Sequence, residues 1–153
     1  MCGIAGYVGR FEPDLLGRMN RAQGHRGPDG SGQWHDAEAG LAHVRLAILD
    51  LSPAGAQPMA DATGRVIVSF NGEIYNYREL RAGLERDGVV FRGESDTEVL
   101  ANLLARHGRA CLPWLNGIFA FAAWYPQERK LLLARDAAGV KPLYWTCLLY
   151  TSD

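Results

Sequence analysis

The sequence has few cysteines, no excess of charge of either sign and no long apolar run, and each shortage excludes a class of protein. The 3 cysteines, at positions 2, 111 and 147 of 153 residues, form neither a CxxC pair nor a metal-ligand spacing. Such a set argues against a disulfide scaffold and suits a reducing compartment, so we expect a cytoplasmic protein. A net charge of −1 gives no electrostatic footprint for nucleic acid. No apolar run approaches the roughly 18 residues of a membrane span, and the N-terminus lacks the basic region of a signal peptide.

What is present describes an ordinary globular domain. Hydrophobic residues make up 48% of the chain and charged residues 22%, and this length is enough for one domain with its own core. Apolar patterning predicts strands at 4–8, 66–70, 118–125 and 130–134, a strand or strand pair over 40–51, and a loop at 24–33. Helical spacing follows Pro13, Asn76 and Ser95, with Asn76 and Ser95 as caps. This order predicts an α+β fold or a sandwich of layers.

Cys2 is a candidate nucleophile because of its position. Loss of Met1 would leave Cys2 with a free α-amine, whose ordinary pKa of about 7.7–8.0 allows it to act as base for its own thiol. Gly3 would let a substrate approach closely, and the strand that follows would hold the terminus in place. The alternative is a chance cysteine that is buried or inert.

Three further features each have two interpretations. Asn71 and Gly72 follow a predicted strand, where they could form a two-donor oxyanion hole or an ordinary hairpin turn. Arg45 lies within an apolar segment, where its guanidinium could bind a substrate carboxylate or a structural acid such as Asp50. Asp96 stands at a predicted helix start, where it could cap the helix or bind a substrate ammonium group.

Taken together, these motifs resemble class II glutamine amidotransferases, and most closely the glutaminase domain of the asparagine synthetases that use glutamine. The matching stretches, in order, are MCGIAGYVG at 1–9, HRGPDGSG at 25–32, LAHVRLAILD at 41–50, GAQPM at 55–59, FNGEIYNYRELR at 70–81, ESDTEV at 94–99, LNGIFAFA at 115–122 and RDAAGVKPLYW at 135–145. The resemblance implies an N-terminal nucleophile hydrolase fold, a four-layer α-β-β-α sandwich of two antiparallel sheets.

The resemblance also assigns roles to residues. It implies loss of Met1 and attack by Cys2 on the glutamine side-chain amide, with Asn71 and the Gly72 N–H as oxyanion hole. Arg45 would bind the glutamine α-carboxylate. The α-amino end would be held by Glu73 and Asp96, with the backbone of the segment comprising Arg45, Leu46, Ala47, Ile48 and Leu49. No metal site and no cofactor are expected in this domain.

The family continues beyond the length of this chain. Its members carry an ATP-dependent synthetase domain with an SGGxDS-like phosphate loop, and no such motif occurs here. We therefore expect a glutaminase domain at 2–146, a tail at 147–153 that does not match the family, and Mg-ATP in an absent C-terminal domain that converts aspartate to asparagine. An enzyme with another acceptor, a non-catalytic module that binds glutamine or a partner, and a homodimer of the full-length protein stay open.

Overall fold

The computed structural model describes residues 1–12, 14–47 and 52–147, and within them two antiparallel sheets form the centre of the fold. The first sheet has the order β1-β3-β2, with β1 at Gly3–Val8, β2 at Gly30–His35 and β3 at Ala39–Arg45. The second has the order β4-β5-β6-β7, with β4 at Met59–Ala60, β5 at Ile67–Ile74, β6 at Gly117–Tyr125 and β7 at Lys130–Arg135.

Helices cover the outer face of each sheet. Helix α1, Leu15–Gln23, packs on β1 and β3, while α3, Asp96–His107, packs on β4 and β5 and carries α2, Tyr77–Arg86, beside it. Short 3₁₀ segments lie at Gly24–Arg26, Pro53–Gly55 and Gly108–Trp114. The layers are therefore α-β-β-α, and the prediction of an α+β sandwich of two antiparallel sheets is confirmed. None of the helices among the described residues has the length and apolarity to cross a bilayer.

Strand β6 is apolar on both faces because both faces are covered. Phe119 and Phe121 join the core that the second sheet shares with α3. Trp124 belongs to the smaller core between the two sheets, together with Leu41. Burying side chains of this size stabilises a fold by about 1.5–3 kcal/mol each. The two-sided covering inferred from the 118–125 run is thus confirmed.

The segment 66–74 differs from the sequence-based prediction in a way that matters for the site. Strand β5 does not end at Asn71 but runs on to Ile74, which lies opposite Gly117 of β6. Gly72 permits this close pairing, because a Cβ there would overlap the carbonyl oxygen of Ile118 and lie 2.6 Å from the Cα of Phe119. The hairpin interpretation of Asn71-Gly72 is therefore wrong, since both residues lie inside a strand.

Two other local predictions were also wrong. The predicted loop at 24–33 contains the start of β2, an edge strand whose mostly polar sequence masked its pairing with β3. Asn76 does not cap α2 with its side chain. It instead donates to the Trp114 carbonyl at 2.9 Å and accepts from the Asn116 N–H at 3.0 Å, which ties the start of the helix to the entry into β6.

Candidate active site

A cleft of about 120 Å³ brings together the described residues that the sequence singled out. Its lining includes the following members of that set: Cys2, Arg45, Leu46, Ala47, Asn71, Gly72, Glu73 and Asp96. Ile48 and Leu49, which were predicted to contribute backbone, lie outside the described residues. Residues from both sheets and from the start of α3 therefore meet at one place, although the sequence separates them by up to 94 positions.

Cys2 is held at the cleft by the start of β1. Its Sγ lies 3.3 Å from the Leu46 N–H, which donates to it, and its carbonyl accepts from Arg26 Nε at 3.1 Å. Gly3 pairs with Val44, and a Cβ at Gly3 would lie 2.8 Å from the Val44 side chain. The thiol in turn donates to the Leu46 carbonyl, with Sγ and the oxygen 3.6 Å apart, so both backbone groups of Leu46 hold the sulfur at the cleft.

The segment 45–47 is tied down by the loop that precedes β2. Asp29 donates its N–H to the Arg45 carbonyl at 3.0 Å and accepts the Ala47 N–H at 2.9 Å. The Arg45 guanidinium donates to the Ser52 carbonyl at 3.0 Å. Asp50, named above as a possible structural partner of Arg45, lies outside the described residues. The guanidinium is thus held to the segment that follows it while the residue lines the cleft.

Strand β5 presents both a side chain and a backbone donor to the cleft. Phe70 and Ile74 pack in the core on the helix side, so the alternation of a strand turns Asn71 and Glu73 to the opposite face, toward the first sheet. Asn71 is almost fully buried. Asn71 and the neighbouring Gly72 both line the cleft, so the side-chain amide and the backbone N–H are two candidate donors for an oxyanion.

The register of the sheet leaves the Gly72 N–H outside the β6 ladder. Gly72 lies opposite Phe119, and Phe119 uses both of its backbone groups on Asp136, with N–H to Oδ2 at 3.1 Å and carbonyl to N–H at 2.8 Å. Opposed residues in an antiparallel pair exchange both hydrogen bonds or neither. The Gly72 N–H therefore points to the other edge of β5. The two-residue β4 does not reach Gly72 there, because the nearest β5 residue that it pairs with is Val68, opposite Met59.

Along this edge, side chains accept hydrogen bonds from the backbone N–H groups on either side of Gly72. The Phe70 N–H donates to Gln57 Oε1 at 2.7 Å, and the Ile74 N–H donates to Asp96 Oδ2 at 2.9 Å. Among the side chains of the described residues, none accepts the N–H of Gly72 between them. This edge therefore offers one backbone donor to a ligand in the cleft.

Asp96 is placed by the cap of α3. Ser95 is the N-cap, and its Oγ accepts the Glu98 N–H at 3.2 Å, which leaves the Asp96 side chain to reach Ile74. Burial raises the pKa of Asp96 to about 6, and the charge of Glu73 adds to this shift against the opposing backbone hydrogen bonds of Ile74 and Thr97. Two carboxylates that share a buried corner of a cleft suit a cationic group.

Gln57 is a site residue that sequence reasoning missed. Besides accepting the Phe70 N–H, it donates from Nε2 to Thr97 Oγ1 at 3.2 Å. It therefore fixes the strand carrying Asn71 relative to the helix carrying Asp96. Gln57 lies in the GAQPM stretch at 55–59, but a single polar residue next to a proline does not predict that it links a strand to a helix. Among the described residues, no group of three or more His, Cys, Asp or Glu side chains could hold a metal ion.

Comparison with known sequences bears directly on this geometry. The sequence profile for the glutamine amidotransferase domain matches residues 1–152. The chain belongs to the glutamine amidotransferase domain family. It is 39% identical over 155 residues to asparagine synthetase [glutamine-hydrolyzing] 1 of Bacillus subtilis (strain 168), covering 97% of this chain and 24% of that protein. It is 43% identical over 124 residues to the amidase chry2 of Gibberella zeae, covering 80% of this chain and 18% of that protein.

The amidotransferase domain thus spans about a quarter or less of the length of these curated relatives. A solved structure, the glutamine phosphoribosylpyrophosphate amidotransferase from B. subtilis in complex with ADP and GMP, superposes with a TM-score of 0.73. The match covers 89% of this chain and 37% of that one at 23% identity. At this level of identity the similarity supports the fold only. The amidotransferase domain is homologous to the glutaminase part of asparagine synthetases.

Proposed function

We propose that the amidotransferase domain hydrolyses glutamine to glutamate and ammonia with Cys2 as nucleophile. In the first step the Cys2 sulfur bonds to the side-chain amide carbon, and the thiol proton passes through the α-amine of processed Cys2 to the departing nitrogen. The C–N bond breaks and ammonia leaves. Water then attacks the resulting glutamyl thioester, which releases glutamate and returns the thiol. One observation carries this proposal: Cys2 lines the same cleft as Gly72, whose backbone N–H makes no hydrogen bond to β6.

The other cleft residues have matching roles in this proposal. Asn71 and the Gly72 N–H stabilise the tetrahedral oxyanion, an effect of about 3–4 kcal/mol per donor in comparable sites. Arg45 binds the α-carboxylate of glutamine as a planar cation suited to a carboxylate. Glu73 and Asp96 bind the α-ammonium group.

For the protein as a whole, we propose that the ammonia feeds an ATP-dependent amidation of aspartate. Support comes from the 39% identity to an asparagine synthetase over 97% of this chain, with 76% of that relative lying outside the match. Residues 2–146 would form the glutaminase unit, and the synthetase domain with its Mg-ATP would lie beyond the described chain. The unpaired state of Cys2, Cys111 and Cys147 supports a cytoplasmic location.

A second acceptor class is favoured by one specific observation. The amidase chry2 is 43% identical over its match to this chain, so the same glutaminase unit occurs in a protein with a different printed name. An enzyme of this kind would keep Cys2 and the cleft but deliver ammonia to another acid. Assaying the complete gene product with aspartate and ATP distinguishes the two, since asparagine forms only in the first.

The glutaminase proposal is tested by activity and mature mass together. We expect purified protein to lack Met1 and to release ammonia from glutamine, and Cys2→Ala to lose this activity by several orders of magnitude. The matched control is Cys147→Ala, which removes an exposed thiol outside the cleft and should leave the rate unchanged. Retention of Met1 in an active protein would contradict the role of the α-amine. Activity in Cys2→Ala would contradict the role of the thiol.

A further inference from the structure

Lys141 is a buried cation in the cleft for which the reaction above has no use. It is 8% exposed and lines the same cleft as Cys2 and Asn71. The chain has only one other lysine, Lys130, which lies on β7 with an exposed side chain. A lysine buried to this degree is unusual unless it is paired, so its partner is informative.

The backbone of Lys141 is fixed to the strand beside the oxyanion residues. Both carboxylate oxygens of Asp136 accept backbone donors, from Val140 at 2.9 Å and from Lys141 at 3.1 Å. The same carboxylate accepts the N–H of Phe119, the residue that faces Gly72 across the sheet. Asp136 therefore links the backbone of Lys141 to Phe119, the residue paired with Gly72.

The ammonium group of Lys141 points to the start of the chain. Its Nζ lies 2.8 Å from the thioether sulfur of Met1, and a thioether is only a weak acceptor. Among the described residues, no carboxylate oxygen comes within 4.0 Å of this Nζ, although Glu73 and Asp96 line the same cleft. Other charged groups around Cys2 are Arg45 in the cleft, Arg26 on the Cys2 carbonyl, and Asp29, which accepts the N–H of Ala47.

We propose that Lys141 is an electrostatic positioning residue that acts through Cys2, with its ammonium charge favouring the thiolate over the thiol. The inference rests on the proposed function, because loss of Met1 removes the thioether contact of this cation and leaves it in the cleft that Cys2 also lines. A cation beside a cysteine is a recognised cause of thiolate character. The expected consequence is a lower kcat on loss of the charge, with KM for glutamine little changed, because Arg45, Glu73 and Asp96 hold the substrate.

The test is the rate at which iodoacetamide alkylates Cys2, read by mass spectrometry of the N-terminal peptide from pH 6 to 9. It uses the processed wild-type protein, Lys141→Met, Lys141→Arg and the control Lys130→Met. We expect Lys141→Met to slow alkylation at pH 7 by about tenfold, the effect of removing one nearby opposite charge. Lys141→Arg should restore most of the rate, and Lys130→Met should match the wild type. Lys141→Gln repeats the test should the Met variant fail to fold.

The outcomes separate this inference from the proposal on which it rests. Wild-type alkylation rates in the folded, uncharged Lys141 variants would overturn the role of Lys141 and leave Cys2 as nucleophile. A wild-type Cys2 that reacts no faster than the exposed Cys147 would overturn the proposed function, and the inference with it.

Discussion

Replacing Asp96 with Asn is expected to stabilise the fold at neutral pH while weakening the proposed binding of glutamine. Burial raises the pKa of Asp96 from 3.8 to about 6, so the folded state binds this proton more tightly than the unfolded state. Below pH 3.8 the carboxyl group is neutral in both states. As pH rises through 6, ionisation favours the unfolded chain, and the cost reaches about 3 kcal/mol at a linkage of 1.36 kcal/mol per pKa unit.

Asparagine removes the charge but keeps an oxygen that can accept the Ile74 N–H, the contact that Asp96 makes at 2.9 Å. We therefore expect Asp96→Asn to raise the free energy of unfolding by up to about 3 kcal/mol at pH 7.5 and by little at pH 3.5. Without the carboxylate, the glutamine ammonium group loses a partner, and KM should rise at least tenfold. Urea titrations at the two pH values, with glutaminase kinetics, measure both effects.

The matched control is Asp136→Asn, in which the sign is reversed. Hydrogen bonds from the backbone of Val140, Lys141 and Phe119 hold the pKa of Asp136 below its usual value, against an opposing contribution from burial. That carboxylate therefore stabilises the fold above pH 3.8, and its loss should destabilise the protein at pH 7.5. The reasoning about Asp96 is refuted if Asp96→Asn is no more stable than the wild type at pH 7.5, or if its advantage is the same at pH 3.5.

Three other substitutions address the packing and the donors of the site. Burial lowers the pKa of His43 to about 4, so the folded state favours the neutral ring, and the full stabilisation is present above pH 6.5. The free energy of unfolding should fall by about 3 kcal/mol as the pH falls through 4. In urea titrations, His43→Leu should abolish this sensitivity to acid. Gln57→Leu leaves the buried Phe70 N–H without its acceptor, so the free energy of unfolding should fall by about 1–3 kcal/mol. The KM for glutamine should also rise, which a purely structural loss would not produce. Gly72→Ala forces a Cβ against β6 and should lower kcat at least a hundredfold; unchanged kcat in a folded variant would exclude Gly72 from the oxyanion hole.

The layers and the nucleophile candidate were predictable because they depend on local signals. The apolar run 118–125 required cover on both faces, and the structure provides it through two separate cores. The position of Cys2 before an anchored strand is visible in the first six letters of the sequence. The start of α3 was predicted from Ser95, and its side-chain cap is present.

The donor geometry could not be predicted, because it depends on register between distant strands. The Gly72 N–H is available because the backbone groups of Phe119 bind Asp136, which lies 17 residues further along the chain. Gln57 reaches Thr97 across 40 residues, and no local pattern encodes that distance. Lys141 appeared in the sequence only as part of a motif, and its burial follows from the Asp136 turn.

The most direct test of Cys2 as the nucleophile is mass spectrometry of the N-terminal peptide, acid-quenched during turnover of glutamine. The proposal predicts a peptide that begins at Cys2 and carries one glutamyl group on that residue, and predicts that the adduct disappears when glutamine is exhausted. A glutamyl group on another residue, or rapid ammonia release with no adduct and with Met1 still attached, would contradict it.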